Sequence, residues 1–205
     1  EDLEKFTRYL LREHGKKFLN VTTKAVDLGC GNGRNLIYLA KTFGVHGLGY
    51  DTSKEAVLQA RKNAEGLSLT FEVGSLADPI PLPDSSVMLA LDMMSSHVLL
   101  RDEREHLRSE ILRVLRPGGW LFFKSFLLDD DLNAERMLRE NPGPEAGMYM
   151  HPEIGVPEYV WTEHALREFF NGYLTIHKIE KSFKHRHADG SAWKRRTISA
   201  YLQKD

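Results

Sequence analysis

Leu3, Phe6, Leu10, Leu11 and Phe18 recur at helical spacing in residues 2–19 and predict an amphipathic helix ahead of the first strand. The next apolar run, residues 25–28, is short. It breaks into Gly29, Gly31 and Gly33 and gives way to a second helical pattern through Leu36, Ile37, Leu39, Ala40 and Phe43. Strand and helix then alternate. Residues 45–51 read as a strand ending on an acid, 55–65 as a helix, 69–74 as a strand, and 87–92 as the near-continuous apolar run of a central parallel strand. Residues 101–115 form a charged helix with Leu107, Ile111, Leu112 and Leu115 toward the core, stopped by Pro117-Gly118-Gly119 before a further apolar strand. This alternation predicts an α/β fold with a doubly wound, mostly parallel sheet.

The last third departs from that rhythm. Residues 128–161 hold a polar helix opened by Asp129-Asp130-Asp131, then a Pro- and Gly-rich loop carrying Met148, Tyr149, Met150, His151, Tyr159 and Trp161. A long loop so rich in aromatics is unlike a disordered linker and reads as an inserted lid over an acceptor. The acidic triplet reads as a solvated helix start rather than a metal site, because adjacent side chains on a helix diverge. Residues 162–170 form a capped helix, and 173–183 and 193–202 two strands joined through Ala188-Asp189-Gly190. The apolar parity changes between Ile176 and Ile179, which places a bulge near His177.

Composition narrows the classes. The 205 residues fit one domain, 1–205, and 41% hydrophobic residues supply a sizeable core. The net charge of -1 provides no global field toward nucleic acid or membrane, so such a partner would need a local patch. The single cysteine, Cys30, excludes an internal disulfide and a cysteine-based zinc site and fits a reducing, cytoplasmic setting. No apolar run reaches the ~18 residues of a spanning helix, and no charged-then-apolar leader is visible; the chain begins at Glu1.

The glycine turn is the first candidate for chemistry. A strand-to-helix turn of this kind brings backbone amides to a ligand with no Cβ in the way. A dinucleotide fingerprint needs its third glycine at position 34, where this chain has Arg34. Asp51 ends the strand expected beside the first, 18 positions beyond Gly33, where a carboxylate accepts both hydroxyls of a ribose. Its alternative role is to cap the following helix, although Ser53 can do that unaided.

The GxGxG spacing, with Asp27 just before it, resembles motif I of the class I S-adenosylmethionine-dependent methyltransferases. Leu115-Arg116-Pro117-Gly118-Gly119 leading into Trp120-Leu121-Phe122-Phe123 is similar to a second segment of that family, and Arg34-Asn35 after the loop resembles its tellurite-resistance-type members. The resemblance implies a seven-stranded sheet closed by a C-terminal antiparallel hairpin, S-adenosylmethionine as methyl donor and S-adenosylhomocysteine as product. It implies a cofactor site of Asp27, Gly29, Cys30, Gly31, Asn32, Gly33, Asn35, Asp51, Thr52, Ser75, Leu76 and Asp92. The family usually has an acidic residue where this chain has Ser75. An N-terminal helix, here within residues 1–20, often covers the pocket; simple packing on the sheet is the favoured reading, with Tyr9 and His14 the residues in question.

The acceptor is less sharply defined. His97 and His151 are the candidate proton acceptors, His97 because it follows the fourth strand at the ligand edge; a solvated helix face is its alternative. Tyr149, His151, Tyr159, Trp161 and Arg186 are the candidate acceptor contacts, and no metal is expected. Between Lys178 and Arg196 seven Lys and Arg face two acids, so a basic hairpin borders the site, as edge protection or as an anion contact. A small molecule, anionic ones included, is favoured as acceptor by the lid. RNA is the alternative through the hairpin, and a non-catalytic cofactor-binding protein is the rival from another class.

Overall fold

The computed structural model describes residues 1–183 and 195–205; the expected turn at Ala188-Asp189-Gly190, and with it Arg186, lies outside the described residues. Among the described residues nine strands and six α-helices follow in chain order. They are α1 (Asp2–His14), β1 (Lys24–Leu28), α2 (Arg34–Phe43), β2 (His46–Asp51), α3 (Lys54–Asn63), β3 (Leu69–Val73) and β4 (Val87–Met93). After a 3-10 turn at Ser96–Val98 come α4 (Arg101–Val114), β5 (Leu115–Phe126), α5 (Leu132–Glu140), β6 (Met148–Met150), β7 (Pro157–Tyr159), α6 (Glu163–Phe170), β8 (Thr175–Ser182) and β9 (Thr197–Gln203).

Seven strands form one sheet in the order β3-β2-β1-β4-β5-β9-β8, in which β9 alone runs against the others. The α/β, doubly wound expectation and the terminal antiparallel hairpin hold. The shift of register between Ile176 and Lys178 is the bulge expected at His177. Strand alternation divides the core between the two faces. Ala25, Leu89, Leu91, Phe122 and Tyr201 pack under α1, α2 and α3, while Val26, Leu28, Ala90, Leu121 and Phe123 pack under α4 and α6.

α1 packs on the sheet. Phe6 stacks on Phe122 at 4.8 Å, and Tyr9 and His14 both set their rings against Trp120, at the amino end of β5. Tyr9 and His14 therefore lie toward the sheet edge opposite the glycine loop, and only the Asp2 end of α1 reaches the carboxyl edge, through Lys124.

The proline loop before β4 is clamped by α4. Arg113 donates to the carbonyls of Ile80 and Leu82 and to Asp84 and Glu110, while buried Glu110 accepts the Ile80 amide at 2.8 Å. Arg113→Ala leaves Glu110 with the Ile80 amide as its one remaining partner here and no cation beside it, and a loss of about 2 kcal/mol is expected, read as a fall of several degrees in the thermal midpoint.

Residues 128–161 hold α5 and the β6–β7 hairpin. Tyr149 and Val160 form a small core of their own with Ala134 and Met137. The acidic triplet diverges, but it is not the solvated helix start expected: it precedes α5, and Asp131 is buried, capping the helix through the Asn133 and Ala134 amides, while Asp129 pairs with Lys181 and Asp130 faces Arg196.

Candidate active site at the carboxyl edge of the sheet

In the register of the sheet Leu28 sits between Tyr50 and Asp92, so β1, β2 and β4 deliver the glycine loop, Asp51 and Asp92 to one edge. That is the edge at which open α/β sheets bind ligands. The amides of Gly29 and Cys30 both donate to the Tyr50 carbonyl, at 2.9 and 3.0 Å, that of Gly33 to Cys30 and that of Gly31 to Asp51 Oδ2. The expectation that these amides stand open to a ligand is therefore corrected: the protein consumes them, and what the loop offers is its shape. Gly31, at φ 52°, has nothing within 4 Å of the position a Cβ would take. A Cβ on Gly29 would meet that of Ser95 at 2.4 Å, so glycine here lets the segment after β4 close against the loop.

Asp51 accepts twice from backbone, from Gly31 at one oxygen and from Ser53 at the other, both at 2.9 Å. Each oxygen keeps a lone pair for a further donor. Ser53 caps α3 through the Ala56 amide, so that helix does not need Asp51. Thr52 and Asn32 are exposed on either side, and Leu76 is buried. Ser75, half-buried, accepts the Ala77 amide.

Asp27 lies beneath the loop with no exposed surface. One of its oxygens accepts from Asn35 at 3.4 Å and the other has no partner. Burial pushes its carboxyl up to about 7; the Asn35 hydrogen bond opposes the shift and the charge of Asp92 adds to it. A folded-state value above the unfolded one stabilises the protein at low pH, and that stability is lost as pH rises from about 4 through about 7. The cofactor-free protein should therefore lose stability over that window relative to Asp27→Asn, by roughly 4 kcal/mol at most. Parallel thermal melts of the two proteins from pH 4 to 8 check it. Cys30 is buried in the same place, and its thiol is pushed up to about 12 by burial, which makes it a packing residue rather than a nucleophile.

The chain turns sharply after β4. Met94 takes φ 65°, a left-handed conformation uncommon for a side chain of its size, with its amide held by the Lys124 carbonyl. The turn folds Ser95 and Ser96 back onto Asp92, whose Oδ1 accepts from the Ser95 hydroxyl at 2.7 Å and the Ser96 amide at 3.2 Å. Burial raises the Asp92 carboxyl as well.

His97 follows directly, and it is 9% exposed rather than on a solvated helix face. Its ring stands edge-on to Phe126, its Nε2 lies 3.7 Å from Glu158 Oε1, and its Nδ1 is buried without a partner. Glu158, on β7, also accepts from Tyr149 Oη at 2.6 Å and from Arg195. Burial acts to raise the Glu158 carboxyl, but contacts from His97, Arg195 and Tyr149 outweigh it and hold the group at about 2. Sequence reasoning did not single out Glu158, and it counted Arg195 only among the basic residues of the hairpin. The one signal for Glu158 is the parity of Pro157-Glu158-Tyr159 opposite Met148-Tyr149-Met150, two strands of three residues each.

The remaining candidates separate. Tyr149, 1% exposed, supports Glu158. His151 lies in the turn of the β6–β7 hairpin, its Nδ1 accepting the Glu153 amide at 3.3 Å. Tyr159 lies under the Arg104 guanidinium, 4.0 Å from its ring centre, and Trp161 is buried against Tyr159, Phe123 and Phe169. Among the described residues no group of three His, Cys, Asp or Glu is arranged to hold a metal ion. No helix of the described residues is long and apolar enough to cross a membrane.

Residues 25–119 match the model of a family described as a methyltransferase domain. Over that span, a little under half of the chain, it is similar to methyltransferase domains. It is 32% identical over 101 residues to a fatty-acid O-methyltransferase of Mycolicibacterium smegmatis, 49% of this chain and 36% of that one. Over 161 residues it is 28% identical to the O-methyltransferase rstn1 of Aspergillus nomiae, 77% of this chain and 67% of that one. The chain thus spans about a third of the length of the first of these relatives. A crystal structure of a SAM-dependent methyltransferase from Methanosarcina mazei superposes with a TM-score of 0.76 at 24% identity, covering 91% of this chain and 94% of that one.

The edge fits the S-adenosylmethionine that the resemblance implies. The open side of Gly31, the unpartnered oxygen of Asp27 and the spare lone pairs of Asp51 are a cradle and acceptors suited to a cation with a ribose diol and an ammonium group.

Proposed function

We propose that this protein is an S-adenosylmethionine-dependent methyltransferase that methylates an oxygen of a small-molecule acceptor, with His97 as the proton acceptor. The observation that carries the reading is the His97–Glu158 pair. An ionised carboxylate facing Nε2 favours the tautomer with its proton there, which leaves the lone pair on the buried, unpartnered Nδ1. A hydroxyl is a poor nucleophile until its proton is taken, and a positioned imidazole supplies that help. Bound S-adenosylmethionine supplies an electrophilic sulfonium methyl for direct displacement. Asp51 would hold the ribose, the glycine loop and Asp27 the amino-acid end, and the β6–β7 hairpin would keep water from His97. Relatives named O-methyltransferases and a fatty-acid O-methyltransferase support an oxygen acceptor.

The RNA reading loses part of its basis. Lys178, Lys181, Arg195 and Arg196, the described basic residues of the hairpin, each face a carboxylate, which reduces their pull on phosphates. Assaying methyl transfer to a panel of hydroxyl, amine and thiol small molecules and to RNA tests the proposal. Transfer to hydroxyl acceptors is expected. Tight cofactor binding with no transfer to any acceptor points to a binding protein, and transfer to RNA that fades steeply with salt overturns the small-molecule reading.

A further inference from the structure

Arg108, in the middle of α4, is fixed in place. Its guanidinium lies 4.4 Å from the ring centre of Phe169 and 3.9 Å from that of Tyr173, and one terminal nitrogen donates to the Phe169 carbonyl at 2.6 Å. Neighbouring guanidiniums are matched, Arg101 by Glu105 and Arg104 by Glu145. Arg108 has no carboxylate partner among the described residues, and its Nε is buried with nothing to donate to. Trp161 repeats the pattern: the residue is 2% exposed, and its Nε1 has no acceptor.

Both residues line an open cleft of about 700 Å³ between α4, α6 and the inserted hairpin. Both also line a tight, mainly apolar crevice of about 10 Å³ that shares Arg104 and Phe169 with the cleft and reaches Asp92 and Ser96. Asp92 is bonded to Ser95, and Ser95 packs on Gly29, so the inner end of the cavity is one side chain from the glycine loop. Indole and guanidinium nitrogens donate and never accept, and a buried donor left unmatched is costly. The carboxylates sharing the cleft leave them unmatched: Glu105 and Glu145 are engaged with Arg101 and Arg104, Glu168 faces His164, and Asp102 is exposed.

We propose that this cleft is an anchoring subsite for a small apolar molecule bearing a carboxylate, whose oxygens accept from Trp161 Nε1 and Arg108 while its apolar body lies along Phe169 toward Asp92. The subsite deepens the reading above by giving the acceptor's class, and as an acceptor subsite it rests on that reading. The carboxylate is the anchor, and the atom methylated is a separate hydroxyl.

The test uses three flat probes of similar size, benzoate, toluene and benzamidine, titrated by ligand-observed NMR into the full chain with S-adenosylhomocysteine bound. Benzoate should bind the wild type and benzamidine should not. Arg108→Lys, which keeps the charge and loses the fork, and Trp161→Phe, which keeps a ring and loses the donor, should each weaken benzoate at least fivefold. S-adenosylhomocysteine affinity measured on the same samples reports whether each variant is folded. Arg108 is half-exposed, so its variant decides the matter should Trp161→Phe fail to fold. The proposal is overturned if benzoate does not bind, if toluene or benzamidine binds as well, or if folded Arg108→Lys binds benzoate unchanged. Methyl transfer to hydroxyl acceptors without a carboxylate would then still stand. Carboxylate binding with no oxygen methylation would sink the methyl-transfer reading and leave the binding site.

Discussion

Asp51→Ala should weaken S-adenosylmethionine binding at least 100-fold, measured by titration calorimetry, with the fold intact by circular dichroism. Two effects add. The carboxylate has one lone pair left on each oxygen, aligned at the end of β2 beside the glycine loop, and hydrogen bonds from a ribose diol to a charged acceptor contribute about 1.5 to 3 kcal/mol each. The same carboxylate also holds the Gly31 amide, so its loss frees the loop whose shape makes the cradle. Stability should change far less than affinity, because Ser53 caps α3 on its own. Asp51→Asn separates the two effects. It keeps one acceptor oxygen, but turns an N–H toward one of the two backbone amides, so an intermediate loss is expected. Unchanged affinity in the alanine variant would remove Asp51 from the cofactor site.

Local chemistry made much of this architecture legible. The apolar run before Asp92 is a central strand, Pro117-Gly118-Gly119 follows the end of α4 at Val114 and makes the irregular first part of β5, and a parity change at His177 marks a real bulge. Each is a signal within a few residues. The glycine spacing likewise located the loop and missed what its amides do, because their partners, Tyr50 and Asp51, come from the neighbouring strand. The setting of His97 was illegible for the same reason on a larger scale. Its partner Glu158 stands some sixty positions further on, in a strand of three residues, and Arg195 comes from beyond β8. Trp161 and Tyr159 were visible as aromatics of a long loop. Their placement against Arg104 and Phe169 depends on α4 and α6 meeting across one face of the sheet.

His97→Gln should lower the turnover of a hydroxyl acceptor by about 10²- to 10⁴-fold, the range that general-base help supplies, while cofactor affinity stays within about twofold. Glutamine fills much of the same space, so the edge contact with Phe126 and the burial beside Glu158 cost little to preserve. Glu158→Gln tests the pair from the other side. Its carboxylate, held at about 2, is ionised across the working range and fixes the imidazole tautomer; the amide cannot do so with equal strength. Turnover about tenfold lower with cofactor affinity unchanged is expected, and the loss should not follow stability. Arg195 loses its ionised partner in the same variant, so thermal melts are run beside the kinetics. A thiolate acceptor supplies the decisive comparison. It needs no base, so both variants should methylate it at nearly the wild-type rate if His97 acts as proton acceptor. Equal losses on hydroxyl and thiolate acceptors would instead make His97 and Glu158 parts of the packing that shapes the site.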